Sequence, residues 1–395
     1  MISQKTLFLQ HVGQTSPAPL ALEIEKAEGI YLYDKSGKKY IDLVSGVSVS
    51  NIGHCHPKVI TAIKNQVDKY MHLMVYGEYV QEPQVNFAKK IVDNTPDNFQ
   101  SVYFVNSGSE AIEGAMKLAK RYTGKREILA FKNAYHGSTH GALSIYGGTE
   151  LKKAVQPLLP EVDFMEFNNI ETLNKISKKT ACVVMEVIQA EGGIINAEAE
   201  FLTLVRKKCD EVGALLVFDE IQTGFGRTGK LFAFEHYGVI PDILCLAKGM
   251  GGGMPIGAFV ASKSIMDTLT VNPALGHITT FGGHPVSCAA GLAALEVVID
   301  EDLAEKANYK GNKIREALKH KTIDHIRGRG LFLAVELKLE YDIDLFLDKC
   351  IEVGLIFDLF LFNRTSFRIA PPLTVTDDEI DIIIDKLIVA LNAIV

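Results

Sequence analysis

The sequence predicts an α/β protein with a mostly parallel central sheet, helices on both of its faces, and a smaller α+β domain assembled from both chain ends. Three observations carry this. Between residues 101 and 261, short β-rich runs alternate with helical patterns, as repeated βα units do. Two of those runs, ALLVF at 214–218 and ILCLA at 243–247, show no polar alternation, which marks strands buried on both faces of a parallel sheet. The two ends read differently, as hairpin and mixed helix and strand patterns.

Taken in order, IYLYD at 30–34 and YIDL at 40–43 flank SGK and predict a hairpin. Strands follow at 102–105, 128–131, 181–187, 214–218, 243–247 and 256–261. Between them, 201–212 places Phe201, Leu202, Leu204, Val205, Cys209 and Val212 mainly on one helical face. An apolar helix at 285–299 precedes a polar helix near 303–320, a strand at 331–337 and an amphipathic helix at 377–391. These elements divide the chain into a large domain, 51–299, and a small one built from 1–50 and 300–395.

At 395 residues the chain is long enough for a sizeable core, and 47% hydrophobic with 23% charged residues is ordinary globular usage. No apolar stretch reaches membrane-spanning length, and 1–20 lacks the apolar centre of a signal peptide, so a cytoplasmic protein is expected. The net charge is −7 and no basic block could track a phosphate backbone, which argues against nucleic acid as a partner. The six cysteines include no C-x-x-C pair and read as reduced core residues; no metal site is expected.

The two buried runs end in opposite charges, Asp219 and Lys248. Open α/β sheets bind ligands outside the carboxyl ends of their strands, and both charges stand there. Either they hold each other or they hold one ligand between them. A ligand that needs a buried anion and a reactive amine is pyridoxal phosphate, whose ring nitrogen is protonated opposite an acid and whose aldehyde condenses with a lysine. Asp219 alone would also serve as a strand-end cap, and Lys248 alone as a loop lysine. At 101–105 a third run feeds into Asn106, Ser107, Gly108, Ser109 and Glu110, with a helix expected near Ala111. Strand, small hydroxyls, glycine and helix start aim backbone N–H groups at an anion, although a simple helix cap fits as well. Tyr135, with His136 and Gly137, follows another strand where an aromatic face can lie on a flat ring or pack in the core.

Two other patterns carry less. Gly224, Gly226 and Gly229 fit G-x-G-x-x-G, which leaves a nucleotide-binding oxidoreductase as a remote alternative, but five residues separate the motif from its strand where a tight turn is needed. His54, Cys55 and His56 look like a metal cluster, yet such close neighbours seldom converge on one ion.

The ordered set GHCHP at 53–57, NSGSEA at 106–111, YHG at 135–137, EVIQAEGG at 186–193, VFDEIQTGFGRTG at 217–229, LAKG at 246–249, TTFGGHP at 279–285, RGRGL at 327–331 and FRIAPPL at 367–373 resembles the class III pyridoxal-phosphate aminotransferases of fold type I, most closely the acetylornithine aminotransferases. The resemblance implies that Lys248 condenses with the cofactor and carries the catalytic proton, that Asp219 pairs with the ring nitrogen and Gln222 neighbours the ring hydroxyl, and that Ser107, Gly108 and Ser109 form the phosphate loop. It implies that Tyr135 stacks on the ring and that Thr280 reaches the phosphate held by the other subunit of a homodimer with shared sites. Arg368 would bind the α-carboxylate of glutamate or 2-oxoglutarate, and Glu191 would mask it when the other donor binds. The implied reaction moves the terminal amino group of N-acetylornithine to 2-oxoglutarate in arginine biosynthesis. After YHG such enzymes commonly carry an arginine for the far carboxylate, whereas this chain has Ser138, which supplies one neutral hydrogen bond. Another ω-amino acid donor, ornithine, γ-aminobutyrate or succinyl-diaminopimelate, is the alternative.

Overall fold

The computed structural model describes residues 2–75 and 79–395. Its centre is a seven-stranded sheet. Read across the sheet, the strands are Ser101–Val105, Gly257–Ala261, Ile243–Ala247, Leu215–Asp219, Thr180–Met185, Glu127–Phe131 and Val162–Met165. Four of the six pairings are parallel, and Gly257–Ala261 alone runs antiparallel to both its neighbours. The expected mostly parallel sheet is therefore present, with one reversed strand.

Alternation explains why the apolar runs are continuous. Leu216 and Phe218 enter the core on one face with Leu244 and Leu246, while Leu215 and Val217 enter the other with Ile243 and Cys245. Successive side chains of a strand point to opposite faces, so a strand covered on both sides must be apolar at every position. Helix Ala199–Val212 packs Phe201, Leu202, Val205 and Cys209 into the first of these cores. Helix Gly108–Thr123 covers the other face through Ala111, Ile112, Ala115 and Met116. Burying each such Leu, Val or Phe contributes roughly 1.5–3 kcal/mol.

The chain ends meet in a third core. The hairpin strands Tyr31–Asp34 and Lys39–Asp42 pair antiparallel, and Leu355–Ile356 adds to their sheet. A second small sheet joins Ile323–Arg329, Phe332–Leu337 and Ser366–Ile369. Ile41, Val335, Phe367 and Leu387 share this core with Ala290 and Val297 of helix Pro285–Asp300. Two carboxyl-terminal helices, Leu303–Ala317 and Asp377–Asn392, flank it. Arg227, fully buried, ties the large sheet's loops to these ends by donating to Leu331 O, Pro371 O and Asn51 Oδ1.

Several expectations need correction. The helix after Val105 begins at Gly108, three residues before Ala111, because the Ser107 side chain caps it by accepting from Glu110 N at 3.2 Å. The expected strand at 181–187 ends at Met185. Strand Val162–Met165 has no counterpart in the sequence reading: it is an edge strand, and its half-exposed VDFM pattern resembles a loop. Cys55 is exposed and not a core residue, whereas the other five cysteines are buried. The glycine pattern at 224–229 lies in turns, followed only by the short 3-10 helix Ala233–His236 and by no α-helix to receive a pyrophosphate, so the dinucleotide reading falls. Among the described residues no helix is long and apolar enough to cross a membrane.

Candidate active site

A cavity of about 420 Å³ opens at the carboxyl ends of the large sheet, lined by residues from five of its strand-to-loop junctions. That size suits a cofactor. Ser107, Gly108, Ser109, Tyr135, Asp219, Gln222 and Lys248 all line it. Ser138, Glu191 and Arg368 lie beyond this lining, and Thr280 is exposed away from it.

One rim is the start of helix Gly108–Thr123. Its first-turn N–H groups have no intrahelical acceptor, and the helix dipole adds partial positive charge. Glu110 fixes the approach by accepting from Asn106 N and Asn106 Nδ2, both at 2.8 Å. The opposite wall comes from Tyr135, whose hydroxyl lies 3.1 Å from Ser138 Oγ. Gly137 has φ +124, and a Cβ there would fall 2.1 Å from Ser109 Oγ. Only glycine lets the loop after Tyr135 pass this close to the helix start.

At the floor, Asp219 Oδ1 accepts from Ile221 N at 3.0 Å and Oδ2 lies 2.7 Å from His136 Nδ1. His136 is fully enclosed; burial disfavours its charged form, yet the hydrogen bond and charge of Asp219, aided by Glu186, hold its pKa above the ordinary imidazole value. Glu186 accepts from Ala190 N at 3.0 Å and Tyr135 N at 3.3 Å. Burial pushes its carboxyl up to about 7, with Asp219 adding repulsion against the pull of His136. Neither His136 nor Glu186 is among the site residues expected from sequence. Glu186 has the same signature as Asp219, an acid closing an apolar run, and that signal was there to be read.

Lys248 follows strand Ile243–Ala247 at φ +51, a left-handed conformation that turns its side chain out of the strand's path. Burial lowers its ammonium pKa, Arg368 pulls the same way, and Glu191, Asp219 and Glu186 oppose. A lowered pKa favours the unprotonated amine, the form that acts as a nucleophile. Arg368 is fully buried on strand Ser366–Ile369. It donates from Nη2 to Glu191 Oε1 at 2.7 Å and from Nη1 to Asp358 Oδ2 at 3.2 Å. The expected pair of Arg368 and Glu191 therefore exists, with a second carboxylate that the sequence reading missed.

Pyridoxal phosphate requires an anion cradle, a flat slot, an acid for its ring nitrogen, a donor near its hydroxyl and an amine for its aldehyde. The residues present supply each. Gln222 Nε2 and His136 Nε2 are sealed from solvent without a hydrogen-bond partner among the described residues, a cost of about 1–3 kcal/mol per group that a ligand at Gln222 would relieve.

This sheet with this cavity at its carboxyl edge defines a pyridoxal-phosphate-dependent enzyme of fold type I. Comparison with known proteins narrows the class. The family described as Aminotransferase class-III matches residues 12–391, and the chain belongs to it. It is 43% identical to acetylornithine aminotransferase of Caldanaerobacter subterraneus subsp. tengcongensis, over 96% of each chain. The structure superposes on ornithine aminotransferase from Toxoplasma gondii with a TM-score of 0.91 and 30% identity, covering 99% of this chain and 95% of that one. Taurine:2-oxoglutarate aminotransferase from Bifidobacterium kashiwanohense, solved with pyridoxal phosphate and glutamate, gives 0.90 and 29%, covering 98% and 96%. The protein is thus an aminotransferase that uses pyridoxal phosphate.

Proposed function

We propose that this enzyme moves the terminal amino group of N-acetylornithine to 2-oxoglutarate, yielding N-acetylglutamate semialdehyde and glutamate, as arginine biosynthesis requires. The observation that carries the reading is the full-length likeness to acetylornithine aminotransferase. The ion pair of Arg368 with Glu191 agrees with it. Bound pyridoxal phosphate supplies the electron sink for breaking the bond to the α-hydrogen of the amine-bearing carbon.

The protein's residues do the rest. Lys248 would hold the cofactor through its aldehyde and would move the proton. Asp219, oriented by Ile221 N–H and His136, holds the ring nitrogen protonated. Ser107, Gly108 and Ser109 would hold the phosphate, Tyr135 the ring and Gln222 its hydroxyl. Arg368 binds the α-carboxylate of glutamate or 2-oxoglutarate when Glu191 withdraws, and Glu191 covers it when N-acetylornithine enters. One site then serves two donors of different shape in a ping-pong cycle.

Thr280 stands beside exposed Ile278 (65%) and Phe281 (54%), and Met71 (62%) and Leu275 (69%) are also bare. Such apolar exposure suits a second copy of the chain. The reading is therefore a cytoplasmic homodimer in which Thr280 completes the partner's phosphate site. The chain divides into a large domain, 51–299, and a small domain from 1–50 and 300–395, so that Arg368 sits on the small one and Lys248 on the large one.

A second reading, another ω-amino donor, is favoured by Ser138, whose hydroxyl meets Tyr135 and brings no positive charge to a far carboxylate. Single half-reactions with N-acetylornithine, ornithine, γ-aminobutyrate and succinyl-diaminopimelate separate the two. N-acetylornithine is expected to convert the cofactor with the highest kcat/KM; its ranking among the poorest donors contradicts the proposal.

A further inference from the structure

The guanidinium of Arg368 is held by more than its masking partner. Asp358 accepts from Arg368 Nη1 at 3.2 Å through its side chain and from Arg368 N at 3.2 Å through its carbonyl. The ring of Phe360, itself buried, lies under the guanidinium carbon at 4.7 Å. Stacking fixes the plane of the fork, and the bond to Nη1 fixes its rotation within that plane. Two of its three nitrogens remain: Nη2, which donates to Glu191, and Nε, sealed from solvent without a partner among the described residues. Together Nη2 and Nε form one side of the fork, wide enough for a carboxylate to take two hydrogen bonds.

The segment carrying Asp358 and Phe360 is also tied to Glu191. Phe362 N donates to the Glu191 carbonyl at 3.1 Å, and Leu361 N donates to Glu191 Oε2 at 3.2 Å. Of the grips on this segment, only those through the Glu191 carboxylate break when that side chain withdraws. The grip of Asp358 on Nη1 does not depend on it.

We propose that Asp358 is a positioning residue: a second, non-exchanging carboxylate that holds Arg368 by Nη1, so that its Nη2 and Nε edge stays aimed at the site while Glu191 and the substrate carboxylate exchange there. The inference rests on the reading of Arg368 as the α-carboxylate anchor. Burial raises the pKa of the Asp358 carboxyl; of the charged groups facing it, Arg368 and Lys248 favour its ionised form and Glu191 opposes it.

Two variants and one control test it. Asp358→Ala removes the acceptor, whereas Asp358→Asn keeps a side-chain oxygen for Nη1 without the charge. KM for glutamate and 2-oxoglutarate is expected to rise about tenfold in Asp358→Ala, with kcat at saturation and KM for N-acetylornithine within twofold of wild type. By calorimetry on the loaded enzyme, the Kd of glutarate, an unreactive dicarboxylate, is expected to rise by a similar factor. Asp358→Asn is expected to restore both constants to wild-type values or below. Equal losses toward both donors, no loss, or an Asn variant as impaired as Ala would overturn the role. Arg368→Ala separates the failures. If it leaves KM for 2-oxoglutarate unchanged, the anchor reading fails; if it raises that KM while Asp358→Ala does not, only the Asp358 proposal fails.

Discussion

Lys248→Ala is expected to lower kcat by about 10⁴-fold, the upper range for loss of a positioned acid–base group, because the same side chain also makes the covalent link. The physical reason lies in where the strand ends. Ile243–Ala247 is buried over its whole length, and the chain leaves it through a left-handed Lys248, so the amine emerges at the wall of a cavity instead of continuing along the sheet. Its burial disfavours the ammonium, while the acids Glu191, Asp219 and Glu186 favour it. Alanine keeps the fold and removes the amine. Circular dichroism should therefore match wild type, and added methylamine should recover a fraction of the lost rate; a variant with wild-type kcat contradicts the assignment.

Asp219→Asn carries the second largest effect, a loss of kcat on the order of 10³-fold, as for removal of one preorganised electrostatic contact. Asparagine has nearly the same shape: its oxygen can still accept from Ile221 N while its NH2 faces the His136 ring in place of the second oxygen, so packing survives. What disappears is the negative charge opposite the cofactor's ring nitrogen. His136 is the next group affected: its raised pKa depends on Asp219, so in the variant it should titrate lower, since burial then acts with less opposition. Steady-state kinetics measures the rate, and NMR titration of the histidine measures the shift. Unchanged kcat would mean that the carboxylate only caps its strand.

These effects fall on two residues that the sequence made visible, and the cause is general. A strand covered on both faces must be apolar throughout, so a charge at its end is conspicuous, and both Asp219 and Lys248 stand out in this way. The phosphate loop was legible because Ser107, Gly108 and Ser109 sit between a strand and a helix, although the helix begins three residues before Ala111, where Ser107 caps it. The edge strand Val162–Met165 left no trace, since an edge strand need bury little. His136 was hidden for another reason. His136 reaches across 83 positions to Asp219, and Arg368 across 177 to Glu191; such contacts arise from tertiary packing and leave no local spacing to read. The pair of Arg368 and Glu191 was expected only through the resemblance to a family, and that route offered no warning of Asp358.

The central claim is that pyridoxal phosphate sits between Asp219 and Lys248. Reduce the loaded enzyme with borohydride, digest it and locate the modified lysine by mass spectrometry. The account predicts a single pyridoxyl-bearing peptide containing Lys248; label on a different lysine, with Lys248 unmodified, would contradict it.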